Sequence, residues 1–147
     1  MMKRLFGCII LGLTCLMSCQ NIEKTQTHKA TPSENTAQTA SPIAIGLNVF
    51  DFQKKLAANP SASLIDVRTP QEFATGHLHN ATLMNLYDAD FKTKINALDK
   101  TKPVFVYCAV GGRSANVMEM LKSSGFNAVY HMMGGIVEWS AAGLPTE

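Results

Sequence analysis

Short apolar runs alternate along the last two thirds of the chain with segments whose apolar residues recur at helical spacing. The runs are typical of buried strands, and they lie at 43–47, 63–67, 81–86, 103–107 and 128–131. The helical pattern occupies 49–56, 69–73, 88–98, 113–124 and a short segment after 134–135. Strands that alternate with helices predict an α/β domain with a largely parallel sheet.

Helix boundary signals support this assignment. Asn48 is a suitable N-cap for the first helix, and Asn59-Pro60 ends it. Thr69 followed by Pro70 predicts a capped short helix with proline at its first position. Gly125 is expected to end the helix at 113–124.

The strand at 103–107 leads into the segment with the clearest chemistry. It ends at Cys108, turns through two glycines, reaches Arg113 and continues into a helix. In open α/β sheets, ligands bind at the carboxyl ends of strands. This places a thiol where a binding site is expected.

Three features near Cys108 are expected to lower its pKa and so favour the nucleophilic thiolate. They are the free N–H groups of the loop, the positive end of the following helix and the Arg113 guanidinium. Gly111 and Gly112 allow positive φ, so the loop can curl around an anion. The alternative is that Cys108 is only a small buried hydrophobe.

Residues 1–18 are predicted to be a signal peptide. Lys3 and Arg4 precede an apolar run from Leu5 to Met17, which is short for a transmembrane helix. The run ends in Leu16-Met17-Ser18-Cys19, which resembles a bacterial lipobox. That resemblance implies a lipid on Cys19 and a protein anchored in the bacterial cell envelope, facing the periplasm or the exterior. The alternative is an ordinary cleaved signal peptide.

Residues 19–42 are predicted to be a flexible linker on that lipid anchor, since they contain almost no large apolar side chains. The folded domain is then 43–147. Cys8 and Cys15 would leave with the signal peptide, and a lipid would occupy Cys19. Cys108 would remain as a single thiol with no partner for a disulfide.

Charge argues against nucleic-acid binding. The net charge is +2, and Lys3 and Arg4 supply all of it, leaving 11 basic and 11 acidic residues in balance. The four histidines lack metal-ligand spacing, so neither a metal nor a cofactor is expected.

Three motifs in this order resemble a single-domain rhodanese, a sulfurtransferase family. They are 64–73 (LIDVRTPQEF) with Gly76-His77, 108–114 (CAVGGRS), and 134–139 (GGIVEW) with Gly143-Leu144-Pro145. The resemblance implies a five-stranded parallel sheet with helices on both faces. It also implies that Cys108 accepts a sulfane sulfur as a persulfide and passes it to a nucleophile.

The resemblance also assigns roles to individual residues. Cys108 would be the nucleophile, and the loop that binds the substrate would comprise Ala109, Val110, Gly111, Gly112, Arg113 and Ser114. A second set would support the structure: Asp66, Arg68, Glu72, His77 and Trp139. We expect Arg68 to pair with Glu72. Arg113 should lie at the rim of the substrate pocket and favour anionic donors. Trp139 should either pack under the loop or simply fill the core. Ala109 stands where some thiosulfate-preferring members carry a basic residue.

The implied function is transfer of sulfur from a small anionic donor, such as thiosulfate, polysulfide or a persulfide, to a thiol or a cyanide-like acceptor. A protein acceptor is compatible with the same intermediate. Two alternatives remain. One is a tethered module that binds sulfur or senses redox state without turnover. The other is a cysteine phosphatase, which is disfavoured because phosphatases of the related fold have five residues between cysteine and arginine, and this loop has four.

Overall fold

The computed structural model describes residues 41–147, and the five strands of this segment form one parallel sheet. The strands are β1 (Ile43–Leu47), β2 (Ser63–Asp66), β3 (Thr82–Leu83), β4 (Val104–Tyr107) and β5 (Ala128–Met132). Their order across the sheet is β1-β5-β4-β2-β3. β4 therefore lies at the centre, and the predicted five-stranded parallel α/β fold is confirmed.

Helices cover both faces of the sheet. They are α1 (Val49–Ala57), α2 (Pro70–Ala74), α3 (Phe91–Asn96), α4 (Gly112–Ser123) and α5 (Gly135–Ala141). One apolar cluster joins the sheet to α3 and α4, and a second joins it to α1 and α5. The central strand serves both clusters, because Val104 and Val106 face one and Phe105 and Tyr107 face the other.

Two predicted helix caps are confirmed. The Asn48 side chain accepts a hydrogen bond of 2.9 Å from the backbone N–H of Asp51 at the start of α1. At α2, the Thr69 side chain and the Glu72 side chain each accept a hydrogen bond from the other residue's backbone N–H. The second cap also fixes the Glu72 carboxylate close to the end of β2.

β3 and α3 are shorter than predicted. Only Thr82–Leu83 of the predicted strand at 81–86 pairs with β2, because β2 itself ends at Asp66. The chain then follows the end of β2, where the Met84 N–H donates to the Asp66 carbonyl over 2.8 Å. α3 begins at Phe91 instead of Asp88, after a turn stabilised by the side chain of Asn85.

The predictions for the signal peptide (1–18), for lipidation of Cys19 and for the linker up to residue 40 lie outside the described residues. Within 41–147, no helix combines the length and the apolar character needed to cross a membrane.

Candidate active site

Cys108 lies directly after the last residue of β4, at the carboxyl end of the central strand. It is a free thiol, and only 1% of the residue is exposed. Its Sγ accepts a hydrogen bond of 3.1 Å from the backbone N–H of Gly111, so the loop curls back over the sulfur as the sequence predicts.

Gly111 supplies the conformation on which this curl depends. Its φ is +93°, and a β-carbon there would overlap the backbone carbonyl of Met133. Of the two glycines that allow positive φ, Gly111 adopts it and Gly112 does not, because Gly112 is already the first residue of α4 and has open space around it.

The start of α5 holds the loop from the other side. The Ile136 N–H donates to the Cys108 carbonyl over 2.9 Å, and the Val137 N–H donates to the Ala109 carbonyl over 3.1 Å. Gly135 makes this approach possible, since its φ is +60° and a β-carbon would overlap the Ala109 carbonyl. The glycine pair of the third motif therefore supports the cysteine loop.

The surroundings of Cys108 favour its thiolate. Burial raises the pKa of the thiol. Hydrogen bonds from the backbone and side chain of Ser114 and from the N–H groups of Val110 and Gly111 lower it, and together they outweigh burial, so the net pKa lies below its ordinary value. The loop thus stabilises negative charge on sulfur.

Arg113 is bound by a carboxylate. Its Nη1 and Nη2 lie 2.8 and 2.6 Å from Glu72 Oε2 and Oε1. Glu72 also accepts hydrogen bonds from the N–H and hydroxyl of Thr69. Chiefly because of the Arg113 hydrogen bond, the pKa of Glu72 falls to about 2. The guanidinium remains beside the loop, but its charge is compensated.

The predicted pair between Arg68 and Glu72 is therefore wrong. Arg68 binds Asp66, with Nε and Nη2 at 2.8 and 2.7 Å from Asp66 Oδ2, and Nη2 also donates to the Gly76 carbonyl. Arg68 and Asp66 are both buried, at the end of β2. The Arg68 side chain returns to Asp66 on the strand that precedes it, whereas the hydrogen bonds of the Thr69 cap hold the Glu72 carboxylate where Arg113 reaches it.

His77 and Trp139 contact structural parts of the domain. The His77 ring stacks on Phe73 with 3.7 Å between ring centroids, and its Nδ1 lies 3.3 Å from the Phe73 carbonyl. Trp139 belongs to the cluster on the α1 and α5 face, and its Nε1–H donates to the Pro145 carbonyl over 3.0 Å. Cys108 belongs to the opposite cluster, so the core-filling alternative for Trp139 fits its position.

The loop predicted to bind the substrate has a buried base and an exposed outer part. Gly111 and Ser114 are buried, whereas 66% of Val110 is exposed. An open cavity of about 390 Å³ adjoins Ala109 and is bounded by Val137 on α5. A small molecule can therefore approach the loop from solvent.

Sequence comparison decides the family. The family model described as the Rhodanese-like domain matches residues 50–142. The chain belongs to the rhodanese-like family. Among curated relatives, the "Sulfurtransferase" of Allochromatium vinosum is 30% identical over 94 residues, which cover 64% of this chain and 86% of the relative. Coverage of the first relatives ranges from 51% to 86% of their length.

Solved structures give the same family for this rhodanese-like domain. A rhodanese-related protein from Thermoplasma volcanium aligns with a TM-score of 0.60 at 30% identity, covering 69% of this chain and 96% of that one. The polysulfide-sulfur transferase homodimer of Wolinella succinogenes aligns with a TM-score of 0.60 at 32% identity, covering 74% of this chain and 80% of that one. Both neighbours support a rhodanese-like fold around the cysteine loop.

Two buried polar side chains on the strands of this rhodanese-like domain do not follow from the motifs. His131 on β5 lies with its Nδ1 3.5 Å from Ser114 Oγ, and the Tyr107 hydroxyl accepts the Leu78 N–H over 3.1 Å. The alternation of β5 places His131 on the same face as Val129 and α4, and this is the signal that could have found it. Among the described residues, no group of histidine, cysteine and acidic side chains is arranged to hold a metal ion.

Proposed function

We propose that Cys108 carries a sulfane sulfur as a persulfide between a small donor and a thiophilic acceptor. The observation that supports this most directly is the contact between Cys108 Sγ and the Gly111 N–H at the base of a loop that lowers the thiol pKa. Membership of a family with relatives named sulfurtransferase agrees with this chemistry.

The transfer takes two displacements. The Cys108 thiolate attacks the outer sulfur of the donor, and a new sulfur–sulfur bond forms on Sγ. The bond between the outer sulfur and the rest of the donor breaks, and the rest of the donor leaves with the electron pair. With thiosulfate, the leaving group is sulfite. An acceptor thiolate or cyanide then attacks the outer sulfur of the persulfide, and Cys108 leaves as a thiolate.

A persulfide donor suits the charges around the loop better than thiosulfate does, and one of the comparisons favours polysulfide. Arg113 is bound at two points by Glu72, and Ala109 adds no positive charge next to the cysteine. A doubly charged anion, whether thiosulfate or inorganic polysulfide, would therefore meet no uncompensated cation on these residues, whereas a persulfide carries a single charge. Polysulfide is supported separately, by the Wolinella succinogenes neighbour whose name includes it.

Intact-mass spectrometry of the purified protein tests the function, with Cys8, Cys15 and Cys19 replaced by serine in every sample so that Cys108 is the thiol that is followed. The wild-type protein and C108S are incubated with polysulfide in one arm and thiosulfate in another, without reductant. We expect a gain of one sulfur atom that cyanide removes, seen only in the wild type and formed faster from polysulfide. Loading of C108S would contradict the role of Cys108, and no loading from any donor would favour the non-enzymatic binding module.

The cellular location belongs to the same proposal. We propose that Cys19 carries a lipid and that residues 19–42 tether the domain to the bacterial cell envelope, on the side of the periplasm or exterior. The lipobox-like segment Leu16–Cys19 supports this. Metabolic labelling with a fatty acid should mark the wild type but not C19S, and equal labelling would contradict the proposal.

A further inference from the structure

His131 is a buried, titratable side chain that the proposed transfer does not use. Only 8% of the residue is exposed, and it lies on β5 next to the central strand. On β1, the residue paired with it is Gly46, where a β-carbon would lie 2.7 Å from His131 Nε2. The imidazole therefore occupies space that only a glycine at position 46 leaves open.

The other ring nitrogen faces the active-site loop through Ser114. His131 Nδ1 lies 3.5 Å from Ser114 Oγ, at the long end of the hydrogen-bonding range, and Oγ lies 2.9 Å from the Gly111 carbonyl. The Ser114 side chain also lowers the pKa of Cys108. The Gly111 N–H donates to Cys108 Sγ over 3.1 Å, so Ser114 and Gly111 together connect the histidine with the nucleophile.

The proton of Ser114 has an acceptor in the loop. A carbonyl can only accept hydrogen bonds, so the Gly111 carbonyl takes the single proton of the Ser114 hydroxyl. The hydroxyl lone pairs are left for a donor on the opposite side. His131 Nδ1 is the atom placed there.

The tautomer of His131 decides where that proton points. Burial lowers the pKa of His131, so the ring is neutral at neutral pH and one of its nitrogens carries hydrogen. With hydrogen on Nδ1, the ring donates to Ser114 Oγ. With hydrogen on Nε2, Nδ1 would accept the Ser114 proton and turn it away from the loop.

We propose that His131 is a positioning residue for Cys108, because its Nδ1–H is held against Ser114 Oγ and thereby reserves the Ser114 proton for the loop. The inference rests on the proposed role of Cys108 as nucleophile. The Ser114 hydroxyl then holds Gly111 by its carbonyl, and the Gly111 N–H is held against Sγ. No proton is gained or lost.

Charged groups near this path are few. Arg113, paired with Glu72, is the cation that interacts with Cys108. In the described part of the chain, the hydrogen bonds and ion pairs include no acidic or basic partner for His131, and its close neighbours on β1 and after β5 are Gly46 and Met133. A substitution at 131 therefore leaves the charges around the thiol unchanged.

Alkylation of Cys108 as a function of pH tests the proposal in the full-length protein. It is followed on the peptide that contains Cys108, because Cys8, Cys15 and Cys19 also carry thiols in the full sequence. H131L removes the donor at similar size, and H131N offers an amide N–H near the position of Nδ1. We expect H131L to raise the midpoint of the alkylation profile by about 0.5 to 1 pH unit, which slows alkylation below the midpoint by about three- to tenfold. H131N should stay within about twofold of the wild type. An unchanged H131L profile, or an equal shift in both variants, would overturn the proposal.

The path through Ser114 has its own test. In an S114A background, H131L should shift the profile no further, whereas a full additional shift would show that His131 does not act through Ser114. Should H131L fail to fold, the ring nitrogen chemical shifts of the wild type decide the matter, since hydrogen on Nε2 instead of Nδ1 would overturn the proposal. Alkylation needs no sulfur donor, so failure here is distinct from failure of sulfur loading.

Discussion

Glu72 and Arg113, which lie 41 residues apart in sequence, form a two-point ion pair beside the active-site loop. The pair joins the start of α2 to the start of α4, the helices that follow the adjacent strands β2 and β4. It therefore links two active-site segments while it compensates the guanidinium charge. The following predictions concern this pair, the loop and the strand beneath it.

Replacing Glu72 with glutamine should destabilise the fold. The side chains of Arg113 and Glu72 are 21% and 34% exposed, so solvent screens the pair only in part. We expect E72Q to lose about 1–2 kcal/mol of unfolding free energy, measured by chemical denaturation at neutral pH. The control is E119Q, which breaks an exposed pair with Lys122 and should cost about 0.5 kcal/mol or less. Equal losses in the two variants would contradict the prediction.

The same carboxylate should give the protein a specific acid sensitivity. The pKa of Glu72 is about 2 in the folded protein, against an ordinary value of 4.5, so between these values the unfolded chain binds more protons. The stability that Glu72 contributes is complete above about pH 4.5 and is lost as the pH falls towards 2. The difference in unfolding free energy between wild type and E72Q should therefore shrink over this interval. A difference that stays constant down to pH 2 would refute this assignment.

Gly111 and Gly112 should respond oppositely to alanine. G111A would place a β-carbon on the Met133 carbonyl at a φ of +93°, and we expect a loss of more than about 2 kcal/mol with altered alkylation of Cys108. G112A meets open space at the first residue of α4 and should leave stability unchanged or raise it by up to about 1 kcal/mol. Thermal unfolding of both variants tests the contrast, and similar behaviour would contradict the observed loop.

The hydroxyl of Tyr107 should matter more than that of Tyr130. Tyr107 is fully buried on β4 and accepts the Leu78 N–H over 3.1 Å, and burial with nearby Asp66 raises its pKa. Y107F leaves that N–H without a partner and should cost about 1–3 kcal/mol. Y130F is the matched control, because the hydrogen bonds of the described residues include none from the Tyr130 hydroxyl. Urea denaturation that gave equal values for both would count against this role of Tyr107.

Local signals in the sequence predicted much of the site. The strand at 103–107, the glycine turn and the following helix put Cys108 at the carboxyl end of a central strand, as observed. The caps at Asn48 and Thr69 are also local, because each joins residues three apart. Such features depend on backbone preferences and neighbouring side chains, which a sequence displays directly.

The partners of charged residues were harder to predict. Arg68 and Glu72 have a spacing that permits a pair, yet Arg68 binds Asp66 and Glu72 binds Arg113. The choice depends on the direction in which β2 ends and on the distance between α2 and α4 in space. His131 was missed for the same reason, since its contact with Ser114 crosses from β5 to α4.

The sequence by itself determined the alternation of strands and helices, the cysteine loop and the family motifs, because these follow from short-range periodicity and from residues that are close along the chain. The tertiary structure alone decided which glycine takes positive φ, which carboxylate compensates Arg113 and which buried ring faces Ser114. Those outcomes depend on how parallel strands bring distant segments to one edge of the sheet, where sterics and charge pairing select among combinations that sequence spacing leaves open.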